Sequence, residues 1–240
     1  MKIINANNTG YKELNEQIRR SGGDCRLTGC LGQRFIATGL SERKIIVEGT
    51  AGNALGAYLN GSEIIVRGNA QDAVGDTMND GKIVIHGNIG DAAGYAMRGG
   101  GIFVKGNAGY RVGIHMKEYK NKVPVIVVGG KTGSFLGEYQ AGGIIIVLGL
   151  EKSERAIVGN FPCMGMHGGK MLLRSGCENL KFPKNVHAVR AGKEDMEEFC
   201  EYISEFCELF DCDRREILNS EFTLVTPDSK NPYKQMYVMN

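Results

Sequence analysis

The sequence predicts an all-β fold, a parallel β-helix of about 19 residues per coil that carries an α-helical C-terminal extension. Three observations predict it. Glycine supplies 35 of 240 residues, about twice the ordinary share. Short β-branched runs return at a nearly constant interval. The last 48 residues hold no glycine and show an apolar stripe at helical spacing instead.

At the N-terminus, Tyr11 to Arg20 followed by Gly22-Gly23 reads as a short helix with a glycine stop, suited to cover the first coil. Residues 1–25 are therefore expected to form a helical cap, since a β-helix must shield the unpaired backbone at each end.

The body spans residues 26–192. Its runs Ile45-Ile46-Val47, Ile64-Ile65-Val66, Ile83-Val84-Ile85, Ile102-Phe103-Val104, Val125-Ile126-Val127 and Ile144-Ile145-Ile146 begin 19, 19, 19, 23 and 19 residues apart. The long interval is read as a four-residue insertion around Glu118–Val123. Glycine follows each run at Gly49, Gly68, Gly87, Gly106 and Gly129, with Gly149 one place late. A second column holds Gly56, Gly75, Gly94 and Gly113, with Gly137 shifted by one. These ten glycines, Gly49 to Gly137, are expected to be the structural corners, at bends only the smallest residue can make. Glycine permits positive φ, and its missing Cβ lets coils approach. Leu59, Met78, Met97, Met116 and Tyr139 form an apolar column, and Thr50, Asn69, Asn88 and Asn107 a polar one suited to an Asn ladder along the stack.

Such runs are too short and too β-branched for helices. Stacked coils then pair their strands in parallel, roughly 4.8 Å apart. Other solenoids fail. Leucine-rich and helical repeats have longer periods, hexapeptide coils need a multiple of six, and calcium-binding repeats need an Asp recurrence that Asp72, Asp76 and Asp91 are not expected to show. Stacking also sets Glu48 against Arg67 and His86 between Arg67 and Lys105, whose charges would hold that imidazole neutral.

Residues 193–240 form the extension. Met196, Phe199, Cys200, Ile203, Phe206, Cys207 and Phe210 make one continuous stripe, and Asp213 with Glu216 suits a capping box for a second, short helix. From Phe222 on, the chain reads as extended, with Asn231-Pro232-Tyr233 and Met236-Tyr237-Val238 available to lie against the body or a partner.

Hydrophobic residues are 42% and charged residues 23%, which is globular. The longest apolar run, Ile144 to Leu148, is too short to span a bilayer, and the first residues lack a signal-like stretch, so a soluble, cytoplasmic protein without membrane contact is expected. Net charge is +2, divided unevenly: residues 1–192 carry 24 basic against 15 acidic side chains, and 193–240 carry 5 against 12. No basic run with interleaved aromatics speaks for nucleic acid.

Seven cysteines without a C-x-x-C pair suggest reduced thiols. Cys163, His167 and Cys177 are the one metal candidate, at spacings that match no common zinc pattern. Gly130-Lys131-Thr132 imitates a phosphate loop but has Val125 where the first glycine belongs. A carbohydrate-cleaving β-helix would gather acids such as Asp72, Asp76 and Asp91 on one face. No catalytic, cofactor-binding or metal-binding residue is assigned.

Gly49 to Leu59, Gly87 to Met97, and Gly159-Asn160 through Gly168-Gly169 resemble the Gly-x-x-Gly-x-x-x-Gly domain of the large subunit of glutamate synthase. The likeness covers roughly Arg26 to Gly176. One of the subunits of formylmethanofuran dehydrogenase looks like the same repeat, so a component of such a complex is the alternative. The resemblance implies a right-handed β-helix that supports catalytic domains without reacting itself. It further implies a scaffold subunit of a split glutamate synthase, docking a glutaminase chain and a chain that holds FMN and an iron-sulfur cluster. Those cofactors are expected in the partner chains and none in this one: residues 1 and 2 are Met1 and Lys2, not a nucleophilic Cys, and ferredoxin-like cysteine runs are absent. Self-association as a homo-oligomer stays open.

Overall fold

The computed structural model describes residues 1–151, 156–174 and 180–228. Nine strands follow one another in sequence order within one 11-stranded sheet: β1 (Lys2–Asn5), β2 (Cys25–Gln33), β3 (Lys44–Ala51), β4 (Asn60–Arg67), β5 (Asp80–Ile85), β6 (Gly101–Val104), β7 (Val125–Val128), β8 (Ala141–Val147) and β9 (Gly168–Arg174). Each pairs in parallel with the next. Ile45, Ile64, Ile83, Ile102, Ile126, Ile145 and Met171 stand in register, one per coil. The parallel β-helix expected from the repeat is the fold.

The register corrects the expected insertion. Ile102 pairs with Ile126, not Val125, so the extra segment is five residues long. It forms a turn in which Tyr119 and Lys122 exchange backbone hydrogen bonds. With this step, Gly130 replaces Gly129 in the first glycine column, and Gly137 and Gly149 are no longer displaced. A Cβ on Gly130 would lie 2.3 Å from Asn107 Oδ1, as one on Gly106 would from Asn88 Oδ1. Gly129 instead meets Lys105 O of the preceding coil and Phe206 of the extension. The apolar column likewise passes through fully buried Gln140, while Tyr139 is exposed.

The two glycine columns do different work. Gly56, Gly75, Gly94, Gly113 and Gly137 have φ between 65° and 71°, and a Cβ on Gly94 would sit 2.4 Å from Ile126 Cδ1. In the first column only the end members Gly49 and Gly149 have positive φ. Gly68, Gly87 and Gly106 are there because the neighbouring coil leaves no room: a Cβ on Gly68 would lie 2.2 Å from Gly49 O.

Glycine does not make the bends alone. Each corner places positive φ at three alternate residues, and most are not glycine: Ala54 and Tyr58 flank Gly56, Ala73 and Thr77 flank Gly75, and Arg111 and His115 flank Gly113. Left-handed backbone costs about 1–2 kcal/mol per residue with a Cβ. Hydrogen bonds between coils offset this. The Ala73 and Thr77 N–H groups donate to Asp91 O and Tyr95 O of the next coil (2.8 and 2.7 Å), and the Gly75 N–H donates to Leu55 O of the previous one (2.9 Å).

Both ends are closed. Helix α1 (Tyr11–Arg20) stops before Gly22 at φ 73° and buries Leu14 and Ile18 in the solenoid core. At the far end β11 (Phe222–Pro227) pairs antiparallel with β9, and β10 (Val186–Arg190) antiparallel with β11. No periodicity in the sequence predicts β1 or β10.

In the extension the apolar stripe is divided between two helices, while the short helix expected after Asp213 is present. The elements are α2 (Lys193–Glu197) and α3 (Cys200–Phe210), joined through fully buried Phe199, followed by α4 (Arg214–Leu218). The Phe199 N–H reaches back three residues to Met196 O, tightening the turn between α2 and α3. Asp213 caps α4 by accepting from the Arg215 and Glu216 N–H groups at 2.8 and 3.1 Å. The Asn231-Pro232-Tyr233 and Met236-Tyr237-Val238 motifs lie outside the described residues.

Candidate functional site

Along one edge of the solenoid run two polar ladders. The expected Asn column is present, but its amides bond to backbone rather than to each other: the Asn88, Asn107 and Lys131 N–H groups donate to Asn69, Asn88 and Asn107 Oδ1 at 2.8, 2.7 and 2.7 Å. A second ladder runs beside it. The Asp72, Asp91 and Tyr110 N–H groups donate to Asn53, Asp72 and Asp91 Oδ1 at 3.4, 2.9 and 2.8 Å. Asp72 and Asp91 therefore do recur, 19 residues apart, contrary to the expectation. Asp76 is in another column and accepts from the Thr77 hydroxyl (2.8 Å). The three acids do not converge as a hydrolytic set, and two of them each give an oxygen to the backbone.

On the outer sheet face, Glu48 lies between Arg26 and Arg67 at 3.9 and 3.8 Å, and Lys44 pairs with Glu63 at 2.8 Å. Further along, the equivalents of Lys44 become Gly101, Val125 and Ile144. There Phe199, Ile203, Phe206 and Phe210 of the extension cover the sheet and form a second core with Val84, Phe103, Val127 and Ile146. Lys82 with Glu205, and Lys170 with Glu198, fasten the two ends of this contact. The switch from charged to apolar residues in one outward column was the signal in the sequence for where the extension docks.

His86 stands where this cover ends, edge-on to Phe210 with ring centroids 5.3 Å apart. Its pKa is lowered, first by burial and then by the Arg67 and Lys105 charges. The two cations were expected from the column; the contribution of the helix was not.

The metal candidate divides. Cys163 is fully buried, with Sγ 3.7 Å from Met171 Sδ, and burial pushes its thiol up to about 12, which opposes the thiolate a metal needs. His167 is directed elsewhere, Nδ1 being 2.9 Å from Gly165 O, and it lines a cleft with Glu118, Lys170 and Glu198. Cys177 lies outside the described residues. Among those described, no three His, Cys, Asp or Glu side chains are placed to share an ion.

The fourth surface is the corner itself. In its C-terminal half, His115 stacks on Tyr139 at 5.1 Å with rings 6° from parallel, Phe135 stacks on Phe161 at 5.5 Å, and the Arg111 guanidinium lies 5.0 Å above Phe135. Arg111 also pairs with Glu138 at 3.0 Å. Phe161, Tyr139 and Met164 remain 59%, 43% and 41% exposed.

A family model described as the GXGXG motif matches residues 3–228. The chain belongs to that family. An uncharacterized protein of Methanocaldococcus jannaschii, MJ1350, is 42% identical over 98% of this chain and 95% of its own length. Among solved structures, a chain of the formyltransferase/hydrolase complex FhcABCD of Methylorubrum extorquens, determined with methylofuran, superposes with a TM-score of 0.66. It shares 19% identity and covers 95% of this chain and 91% of that one, a likeness that shows the fold. No helix among the described residues is long and apolar enough to cross a membrane.

Proposed function

We propose that this GXGXG chain is a non-catalytic scaffold subunit of a cytoplasmic multi-chain enzyme. The observation that carries this reading is the use to which the repeat puts its polar columns. Asn69, Asn88, Asn107, Asp72 and Asp91 each give a side-chain oxygen to a backbone N–H, so the residues best placed to line a reactive groove hold one coil to another instead.

The complex we propose is a split glutamate synthase, in which the chain docks a glutaminase chain and a chain that holds FMN and an iron-sulfur cluster. The motif columns support it. A second reading, a component like a chain of the formyltransferase/hydrolase complex, is favoured by the superposition over nearly the whole length.

Purification of the native complex through this chain separates the two. A yellow-brown preparation with flavin and iron-sulfur absorbance that forms glutamate from glutamine and 2-oxoglutarate is the expected result. A preparation that transfers formyl groups and has no flavin assigns the second reading. A chain recovered alone, with hydrolytic activity of its own, overturns both.

A further inference from the structure

We infer that the corner ridge formed by Arg111, His115, Phe135, Tyr139, Phe161 and Met164 is the surface on which a different subunit docks, through an uncharged groove of aliphatic and methionine side chains. This deepens the scaffold reading and rests on it.

Large side chains are not what the fold asks for at these positions. Arg111, Phe135 and Phe161 have φ of 57°, 62° and 57°; the same corner position holds Phe35 in an early coil and Ala54, Ala73 and Ala92 in the three coils between. His115 and Tyr139 have φ of 55° and 52°, where neighbouring coils place Thr77, Ala96 and Gly165. Bulky residues in the left-handed region are uncommon, and such conformations gather at functional sites. Phe35 and Tyr58 stand apart from the ridge near the other end, whereas from Arg111 to Phe161 the coils that bear large side chains are adjacent, so the rings stack.

Composition points the same way, since aromatic residues, Met and Arg are enriched where proteins bind proteins. Tyr139, Phe161 and Met164, 43%, 59% and 41% exposed, leave roughly 300 Å² of apolar surface uncovered, within the range of the largest patch on a monomer. A partner that also covers the flanking polar side chains would extend this toward the roughly 800 Å² per partner of a standard interface.

Charge and shape select the occupant. Arg111 is neutralised by Glu138, so the ridge offers rings rather than net charge, and an apolar surface suits it better than an acidic one. Rows of side chains on a corner project, and two such rows from copies of the same chain would meet edge to edge. Three clefts away from the ridge are polar, lined by Arg34, Asn53 and Asp72, by Asn60, Asn79 and Lys122, or by Glu118, His167 and Lys170, and do not suit stacked rings, while the cleft beside Pro162 and Leu180 includes Phe161 and so belongs to the ridge itself. A groove on a second kind of chain suits them.

The native complex, purified through a tag at the N-terminus of the full chain, provides the test. Hydroxyl-radical footprinting read by mass spectrometry compares it with the free chain. The expected result is about fivefold protection of Phe135, Tyr139, Phe161 and Met164 on assembly, with Leu31, exposed near the other end, unchanged. The triple variant Phe135→Ala, Tyr139→Ala, Phe161→Ala puts at each site a residue that the corner already accepts elsewhere. It should melt as the parent does and retain partner subunits at least tenfold less. Partners bound while the ridge is labelled as in the free chain overturn this inference and leave the scaffold reading standing. Protection that arises in a homodimer instead overturns the choice of a different subunit. Recovery of the chain with no other subunit overturns the scaffold reading and this inference together.

Discussion

At the scale of single residues, the two glycine columns make different demands. A methyl group on Gly94 meets both a left-handed backbone and Ile126 Cδ1; strain of about 1–2 kcal/mol and overpacking of about 1–3 kcal/mol combine against Gly94→Ala. The isoleucine tip can shift to relieve part of this. Gly68→Ala has no such relief, because the atom in the way is Gly49 O, a backbone atom fixed in the preceding coil. Urea unfolding should show Gly94→Ala less stable by about 3 kcal/mol, and Gly68→Ala less stable still. Equal midpoints for parent and Gly68→Ala would show that the coils can separate locally without cost. His86 allows a second measurement at this scale. Its folded-state pKa lies below the usual 6.5, so between those two values the unfolded chain binds the proton more readily, and stability rises with pH across that window. Replacing Lys105 with Ala removes one repelling charge and should move the imidazole titration upward in an NMR experiment. A folded-state pKa at or above 6.5 in the parent would contradict the geometry around His86.

At the scale of elements, Asp91→Ala removes the acceptor of the Tyr110 N–H, an exposed hydrogen bond, and should cost about 0.5–1.5 kcal/mol, whereas Asp91→Asn keeps an acceptor and should cost far less. Chemical denaturation of the two variants decides between a structural carboxylate and one that needs its charge. The strands and most corners could be read from the sequence because the signal is local: three β-branched residues and then glycine. The insertion could not. Val125-Ile126-Val127-Val128 is a four-residue apolar run that fits the repeat in two registers, one residue apart, and periodicity does not choose between them. The choice falls to contacts between coils, where only Gly130 fits against Asn107 Oδ1. That one-residue step hid the ridge, because it placed exposed Tyr139 in the apolar column where buried Gln140 belongs. Asp72 and Asp91 were missed differently. Their 19-residue spacing was visible, but acids in a groove read as chemistry until each is seen to accept a backbone N–H.

At the scale of the whole molecule, a solenoid is stabilised coil by coil through nearest neighbours, yet this one is not uniform along its axis. An inner core runs from Ile4 to Val225. The outer core is built on β5 to β9, where Phe199, Ile203, Phe206 and Phe210 lie on Val84, Phe103, Val127 and Ile146, with Ile65 of β4 packed at its edge. Coils at β3 and β4 bury one sheet face and expose a row of ion pairs on the other, and exposed pairs contribute little. Opening should therefore be graded, with amide exchange slowest in β6 to β8 and faster in β3 and β4. Phe206→Ala sharpens the test. Loss of a fully buried phenylalanine costs about 3–5 kcal/mol, and here it falls on the contact between the extension and the sheet. Hydrogen exchange in the variant should accelerate in α3 and in β6 to β8 while β3 keeps its parental rate. If β3 accelerates equally, the chain opens as a single cooperative unit, and the extension stabilises every coil, not only those it touches.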